Sequence, residues 1–134
     1  MADCLTEHQE QALLFSWAAI YERQYPALRL MYAVPNGAFM GGDTPQAKIR
    51  GIQRFNKLKK EGLKQGIPDI CLPCARQGYH GLYIEMKRIK GGTVSHEQKE
   101  WLAALNTEGY KAVVCRGFDE AKAVLSEYLG IKHG

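Results

Sequence analysis

The sequence predicts an α/β protein in which a mixed central β-sheet is flanked by α-helices. Three observations carry this prediction. Helical and strand-like segments alternate along the chain, two strand-like segments are joined by a short polar loop, and a helix separates that pair from another strand. A strand-helix-strand connection favours parallel pairing, whereas a short loop favours antiparallel pairing. The expected element order is α-β-α-β-β-α-β-α.

The N-terminal part of the chain predicts a helix and a strand. Residues 7–23 form the helix, because Thr6 and Gln9 have the spacing of a capping box at its start. Pro26 cannot continue a helix and is expected to stop it. Residues 28–34 then form the first strand.

The middle of the chain predicts a second helix and a β-hairpin. Thr44 followed by Pro45 is a typical helix start, and Gly62 is a typical end. Residues 67–73 and 81–87 are the two hairpin strands.

The C-terminal part predicts the remaining helix, strand and helix. Ser95 and Gln98 form a second capping box, which begins the third helix. Residues 110–116 are the last strand, and residues 119–129 are the last helix.

Length and composition favour one soluble domain. The chain has 134 residues, of which 46% are hydrophobic, so residues 1–134 suit a single domain with its own core. The sequence has no apolar run of membrane-spanning length, and its first residues lack the pattern of a signal peptide. We expect a cytoplasmic protein of a bacterial or phage-infected cell, with no membrane partner.

The four cysteines are too few and too irregular for a disulfide scaffold, so we expect free thiols. Cys71 and Cys74 have Cys-x-x-Cys spacing, which leaves a zinc-stabilised or redox role as an alternative.

Positive charge is concentrated on the second predicted helix. The net charge is +4, which permits a polyanionic partner. The basic run has only Glu61 against it and consists of Lys48, Arg50, Arg54, Lys57, Lys59, Lys60 and Lys64. We expect it to contact a phosphate backbone, chiefly through Lys48, Arg50, Arg54, Lys57 and Lys60; a solvated helix face is the alternative.

The hairpin carries the candidate metal-binding and catalytic residues. Asp69 lies on its first strand, and Glu85 and Lys87 share one face of its second strand because strand side chains alternate. Two carboxylates, with the backbone carbonyl of Met86, suit Mg²⁺ beside a reacting phosphate. The alternative is a turn acid together with a surface salt bridge.

These residues resemble a known family. Pro68-Asp69 followed by Glu85-x-Lys87 is similar to the PD-(D/E)xK nuclease superfamily, and further landmarks resemble its virus-type replication-repair nuclease (VRR-NUC) family. Those landmarks are Glu7-x-x-x-Gln11, Val34-Pro35-Asn36-Gly37, Gly66-Ile67-Pro68-Asp69-Ile70, Ile84-Glu85-Met86-Lys87, and Ser95-x-x-Gln98 with Trp101. The resemblance implies a restriction-endonuclease-like fold and Mg²⁺-dependent hydrolysis of DNA, with Mn²⁺ as a substitute and no organic cofactor. Compact stand-alone members resemble phage-encoded resolvases that act as homodimers on branched DNA.

By position, the resemblance implies roles for individual residues. Asp69 and Glu85 would be metal ligands, Lys87 the catalytic lysine, and Glu7 the first-helix acid, bound to the metal directly or through water. Glu10 is the rival of Glu7, since it lies on the same side of the helix.

Three polar residues complete the expected site. Gln98 would point to the site or the DNA backbone, although a capping residue alone is compatible with its position. Gln11 and Asn36 are candidate DNA contacts, and Asn36 could equally belong to an ordinary turn. A non-catalytic DNA-binding module on the same fold is the alternative function.

Overall fold

The computed structural model describes residues 4–35 and 43–132, and their elements follow the predicted order with one addition, a short 3₁₀ helix. The elements are α1 (Glu7–Tyr21), the 3₁₀ helix (Pro26–Leu30), β1 (Tyr32–Ala33), α2 (Pro45–Lys60), β2 (Ile70–Leu72), β3 (Leu82–Lys87), α3 (His96–Thr107), β4 (Lys111–Arg116) and α4 (Gly117–Leu129).

The strands of the described residues form one mixed sheet in the order β1-β2-β3-β4. β1 and β2 pair antiparallel, as do β2 and β3, whereas β3 and β4 pair parallel with α3 as the crossover. The predicted α/β class, hairpin and parallel pairing are therefore confirmed.

The predicted strand 28–34 is wrong over most of its length. Pro26 begins a 3₁₀ helix that runs to Leu30, because its fixed φ suits the first position of a helical turn. Only residues 32 and 33 pair as a strand, and the backbone N–H of Val34 extends this pairing by donating to the Asp69 carbonyl at 2.7 Å. The predicted end of the first helix was also too late, since α1 ends at Tyr21.

The two faces of the sheet have different roles. Leu82, Ile84 and Met86 of β3 face a core that α1 and α4 cover with side chains such as Leu14 and Leu125. Tyr83, Glu85 and Lys87 point to the opposite face because of strand alternation. This second face is the one on which α3 packs, since Gln98 of α3 reaches Glu85.

Both predicted capping boxes are present, at the starts of α1 and α3. In the second one, the Ser95 hydroxyl accepts from the Gln98 backbone N–H at 3.1 Å, and Gln98 Oε1 accepts from the Ser95 N–H at 2.8 Å. The start of α3 is thereby defined, and with it the position of Gln98.

In the part of the chain that the structure describes, no helix has both the length and the apolar character needed to cross a membrane.

Candidate active site

Asp69 precedes β2 and is held by the neighbouring strand. Its Oδ2 accepts a hydrogen bond from the backbone N–H of Met86 at 2.8 Å, and the residue is buried. The N–H and C=O of a strand residue point to the same side of the strand, so the Met86 carbonyl also faces the side on which Asp69 lies. The hairpin thus brings the carboxylate and the carbonyl of the predicted site together.

Glu85 is the most deeply buried ionisable residue of the site, with an exposure of 1%. Its Oε2 accepts from Gln98 Nε2 at 3.1 Å and lies 3.9 Å from Lys87 Nζ. Its Oε1 is buried and has no hydrogen-bond partner among the described residues. An acceptor oxygen buried in this way is costly, and Glu10 Oε2 is another, but Glu85 has its oxygen beside a second buried carboxyl group, that of Asp69.

The electrostatics of Glu85 reflect this crowding. Burial raises its pKa to about 9, and a side-chain hydrogen bond to Asp69 and the charges of Asp69 and Glu7 act in the same direction. The Lys87 ammonium opposes them. Two carboxyl groups so close together resist simultaneous ionisation unless a cation joins them.

The structure places Glu7 and Glu10 in different environments. Glu7 is the first residue of α1, and a Cβ built on Gly92 would lie 3.8 Å from its Oε2 and 4.0 Å from Lys87 Cδ. Glu7 is therefore close to Lys87, and its charge acts on Glu85. Glu10 instead lies at the start of α4, where its Oε1 accepts from the backbone N–H of Phe118 at 2.9 Å.

Gln98 both caps α3 and points to the site. It completes the capping box of α3, and its Nε2 contacts Glu85. Gly66 allows α3 to come this close, because a Cβ built there would lie 2.7 Å from the carbonyl carbon of Glu97. This close approach explains the glycine at the start of the Gly-Ile-Pro-Asp segment.

The donor set fits a magnesium ion better than a zinc ion. No three acidic, histidine or cysteine side chains within residues 4–35 and 43–132 converge as a metal site. Magnesium typically takes one or two carboxylates and completes its shell with water and substrate oxygens. Asp69 and Glu85, with a buried oxygen of Glu85 left without a described partner, meet that requirement.

The two cysteines of the Cys-x-x-Cys pair are both buried. Cys71 is paired with Tyr83 in the sheet, whereas the Cys74 thiol contacts the Ala27 carbonyl at 3.8 Å. The pKa of the Cys74 thiol is raised, chiefly by burial, as expected for a packed thiol.

The predicted DNA contacts outside the hairpin lie on α1 and α2 or fall outside the described residues. Gln11 is partly buried on α1, one turn beyond Glu7, and Asn36 lies outside the described residues. The basic residues of α2 are exposed, namely Lys48, Arg50, Arg54, Lys57 and Lys60. Arg50, Arg54 and Lys57 recur at helical spacing and therefore share one face of α2.

The fold and the site together define a nuclease-type α/β protein, and comparison with known proteins identifies the family. Residues 5–119 match the VRR-NUC domain, so the chain belongs to the VRR-NUC family. A solved structure described as a VRR_NUC domain protein superposes with a TM-score of 0.74 at 30% identity, covering 97% of this chain and 93% of that one. No curated protein sequence matches the chain. The resemblance and the restriction-endonuclease-like fold expected from the motifs are thereby confirmed.

Two features of the site were missed by the sequence analysis. The Gly91-Gly92 pair belongs to none of the landmarks, yet a Cβ built on Gly92 would lie 3.8 Å from Glu7 Oε2 and 4.0 Å from Lys87 Cδ. The position of Glu10 at the start of α4 was also missed, because the two residues that meet there are 108 positions apart in the chain.

Proposed function

We propose that this VRR-NUC protein is a metal-dependent DNA endonuclease. The observation that carries the proposal is the buried pair of carboxyl groups, Asp69 and Glu85, with the Lys87 ammonium 3.9 Å from Glu85. A fold has little structural reason to bury two acids and an amine side by side, since each loses hydration. The chain belongs to a nuclease family, which supports a catalytic role for this buried cluster.

In this proposal Asp69, Glu85 and the Met86 carbonyl hold Mg²⁺, or Mn²⁺ in its place, and Glu7 joins them directly or through water. The bound cation supplies positive charge to offset the charge that develops on the phosphoryl oxygens. Asp69 is held for this role by the Met86 N–H, and Glu85 by the Gln98 amide.

Lys87 and Gln98 act beside the carboxylates. The Lys87 amine either orients the attacking water or contacts the scissile phosphate, and both roles require the position it has next to Glu85. Gln98 holds the orientation of Glu85 through its amide. Its side chain has little freedom because its oxygen is engaged in the capping box.

DNA binding is assigned to the exposed basic face of α2. Lys48, Arg50, Arg54, Lys57 and Lys60 would contact phosphates, which position a duplex without reading its sequence. Gln11 and Asn36 are proposed as further DNA contacts.

We propose branched DNA as the substrate and a homodimer as the active form. The family resemblance to stand-alone resolvases supports both, and symmetric cutting of two strands needs two sites. Light scattering is expected to give twice the chain mass; a strict monomer at working concentration would contradict resolvase action but not nicking or flap cleavage.

The test is cleavage of four DNA substrates, a four-way junction, a flap, a splayed arm and a linear duplex, in Mg²⁺ or Mn²⁺. Wild-type protein should cut the junction fastest, and Lys87→Ala, Asp69→Ala and Glu85→Ala should cut none of them. Lys132→Ala, an exposed lysine remote in sequence from the motif, is the matched control and should cut normally. Cleavage that persists in the Asp69 and Glu85 variants would refute the assignment.

The exposed basic face of α2 favours one alternative, a non-catalytic DNA-binding module. That module would bind DNA in a salt-sensitive manner, and charge reversal at Arg54 and Lys57 would weaken binding, but no metal would produce cleavage.

Metal-dependent thermal unfolding separates the two functions further. Mn²⁺ should raise the Tm of the wild-type nuclease but not that of Glu85→Gln.

A further inference from the structure

Arg116 lies beside the proposed site without belonging to its motif. It is the parallel partner of Lys87, so the two residues lie at the same end of the sheet. It is also the last residue of β4, and its backbone N–H donates to Glu120 Oε1 at 2.8 Å. The backbone from which its side chain extends is therefore well anchored.

The guanidinium of Arg116 binds the loop that follows Lys87. Nη1 donates to the carbonyl oxygens of Arg88 at 3.2 Å and Gly91 at 2.8 Å, and Nη2 donates to that of Gly92 at 3.2 Å. A planar guanidinium has several donors in a fixed arrangement, so it can hold three carbonyls at once; a lysine ammonium cannot match this geometry. The loop curves around this group because Gly91 and Gly92 have φ values of +79° and +68°.

The same loop lies next to two residues of the proposed site, Glu7 and Lys87. The position of a Cβ on Gly92 would be 3.8 Å from Glu7 Oε2 and 4.0 Å from Lys87 Cδ, which are ordinary contact distances. The loop then continues to Ser95, which caps the helix that carries Gln98. Its path therefore affects side chains on three elements, α1, β3 and α3.

We infer that Arg116 is a positioning residue that holds residues 88–92 against Glu7 and Lys87. The inference rests on the function proposed for that site, and Arg116 acts on it through the loop backbone. Without the guanidinium, the paired glycines leave the loop free to sample other conformations, since glycine has the largest conformational freedom of any residue. Glu7 and Lys87 would then lose their common neighbour.

The first test does not depend on cleavage of DNA. The loop contains Arg88 and Lys90, so limited trypsin digestion of the native protein, with the cut sites identified by mass spectrometry, reports its opening. Arg116→Lys and Arg116→Gln should increase the rate of cutting after Arg88 and Lys90 by about tenfold or more. The matched controls are Arg23→Lys and Arg23→Gln, which alter an exposed arginine beyond the opposite end of α1 and should leave the rate unchanged.

The second test separates positioning from phosphate binding. If Arg116 positions Glu7 and Lys87 through the loop, the Arg116 variants should have a kcat about 10- to 100-fold lower than the wild type. Their KM for DNA should be nearly unchanged. A direct phosphate contact would instead raise KM and reduce the salt dependence, with trypsin sensitivity as in the wild type, and this result would overturn the inference. If Arg116→Gln fails to fold, Arg116→Lys carries both tests.

The failure of each proposal is distinguishable. Wild-type protein that cuts no DNA would refute the proposed nuclease function, and the trypsin comparison would still decide whether Arg116 holds the loop. Normal kcat in Arg116→Lys, or an unchanged loop in both variants, would refute the positioning role while leaving the nuclease function in place.

Discussion

At the scale of single residues, Glu7 and Glu10 show how position separates two identical side chains. They are three residues apart on α1, where both lie on one side of the helix. Glu10 is buried and accepts the N–H of Phe118 at the start of α4, a position that also favours negative charge. Glu7 is only partly buried and lies beside Gly92 and Lys87. A structural role thus belongs to Glu10, and we propose the metal-site role for Glu7.

Substitution of these two acids should give opposite results. Glu10→Ala leaves the Phe118 N–H without its acceptor and should lower the free energy of unfolding by about 1–3 kcal/mol. Glu7→Gln should change it by less than about 0.5 kcal/mol but abolish most DNA cleavage. Urea unfolding and Mg²⁺-dependent cleavage of the two variants measure this. Normal cleavage by Glu7→Gln, or full stability of Glu10→Ala, would contradict the assignment.

The raised pKa of Glu85 predicts how stability depends on pH without metal. Its value of about 9 exceeds the ordinary value of 4.5, so between these pH values the folded protein binds more protons than the unfolded chain. The free energy of unfolding should therefore be highest below about pH 4.5, as far as this group is concerned, and fall as pH rises through about 9. Urea unfolding in chelating buffer between pH 6 and 9 should show this fall.

Glu85→Gln is the control for this pH dependence. Glutamine does not ionise in this range, so the variant should lose stability less steeply between pH 6 and 9 than the wild type. Parallel curves for the two proteins would show that Glu85 is not responsible.

At the scale of elements, the site depends on how closely α3 approaches β3. The capping box sets the start of α3, and Gly66 lets its first turn lie against the segment before β2. Gln98 can reach Glu85 only because both conditions hold. Local sequence signals therefore start the helix, but contact between distant segments places it.

Gly66→Ala tests this approach, with Gly62→Ala as its matched control. Both glycines have positive φ, +89° and +107°, so both alanines meet similar backbone strain. Only at Gly66 would the added Cβ clash, at 2.7 Å from Glu97, whereas nothing lies within 4 Å of it at Gly62. Urea unfolding should show an additional loss of about 1–3 kcal/mol for Gly66→Ala. Equal losses in the two variants would mean that the close packing contributes little.

At the scale of the whole molecule, the basic face of α2 and the acidic site are on separate elements. The acids and Lys87 lie on the hairpin and the start of α1, while the exposed basic residues extend along α2. α2 has one buried residue, Phe55, and leaves Ile49 and Ile52 half exposed. The proposed function would use the two elements separately, α2 to hold a polyanion and the hairpin to react with it.

Reversal of charge on α2 should weaken DNA binding and make the binding less dependent on salt. The double variant Arg54→Glu and Lys57→Glu removes two proposed phosphate contacts, so the slope of log K against log salt should decrease in magnitude by about 2. Binding measured by fluorescence anisotropy at several salt concentrations provides the slope. Arg23→Glu, which alters an exposed arginine just beyond the end of α1, is the control; an equal change in that variant would point to overall charge instead of α2.

The sequence predicted those features of the fold and site that depend on interactions between residues close together in the chain. Capping boxes, the hairpin and the strand alternation of Glu85 and Lys87 depend on neighbouring residues and were predicted correctly. The strand at 28–34 was wrong, because β-like composition did not outweigh the helical turn that Pro26 begins. The metal-binding and DNA-binding roles stay predictions, which the experiments above test.

The sequence by itself determined the order of the elements, the starts of α1 and α3, and the motif that led to the VRR-NUC family, since each depends on residues close together in the chain. Only the tertiary structure decided that Glu10 caps α4, that Gln98 reaches Glu85 and that Arg116 binds the loop after Lys87. These contacts join segments that are remote in the chain or set by strand register, and sheet pairing and helix packing, which bring them together, are not encoded in any local pattern.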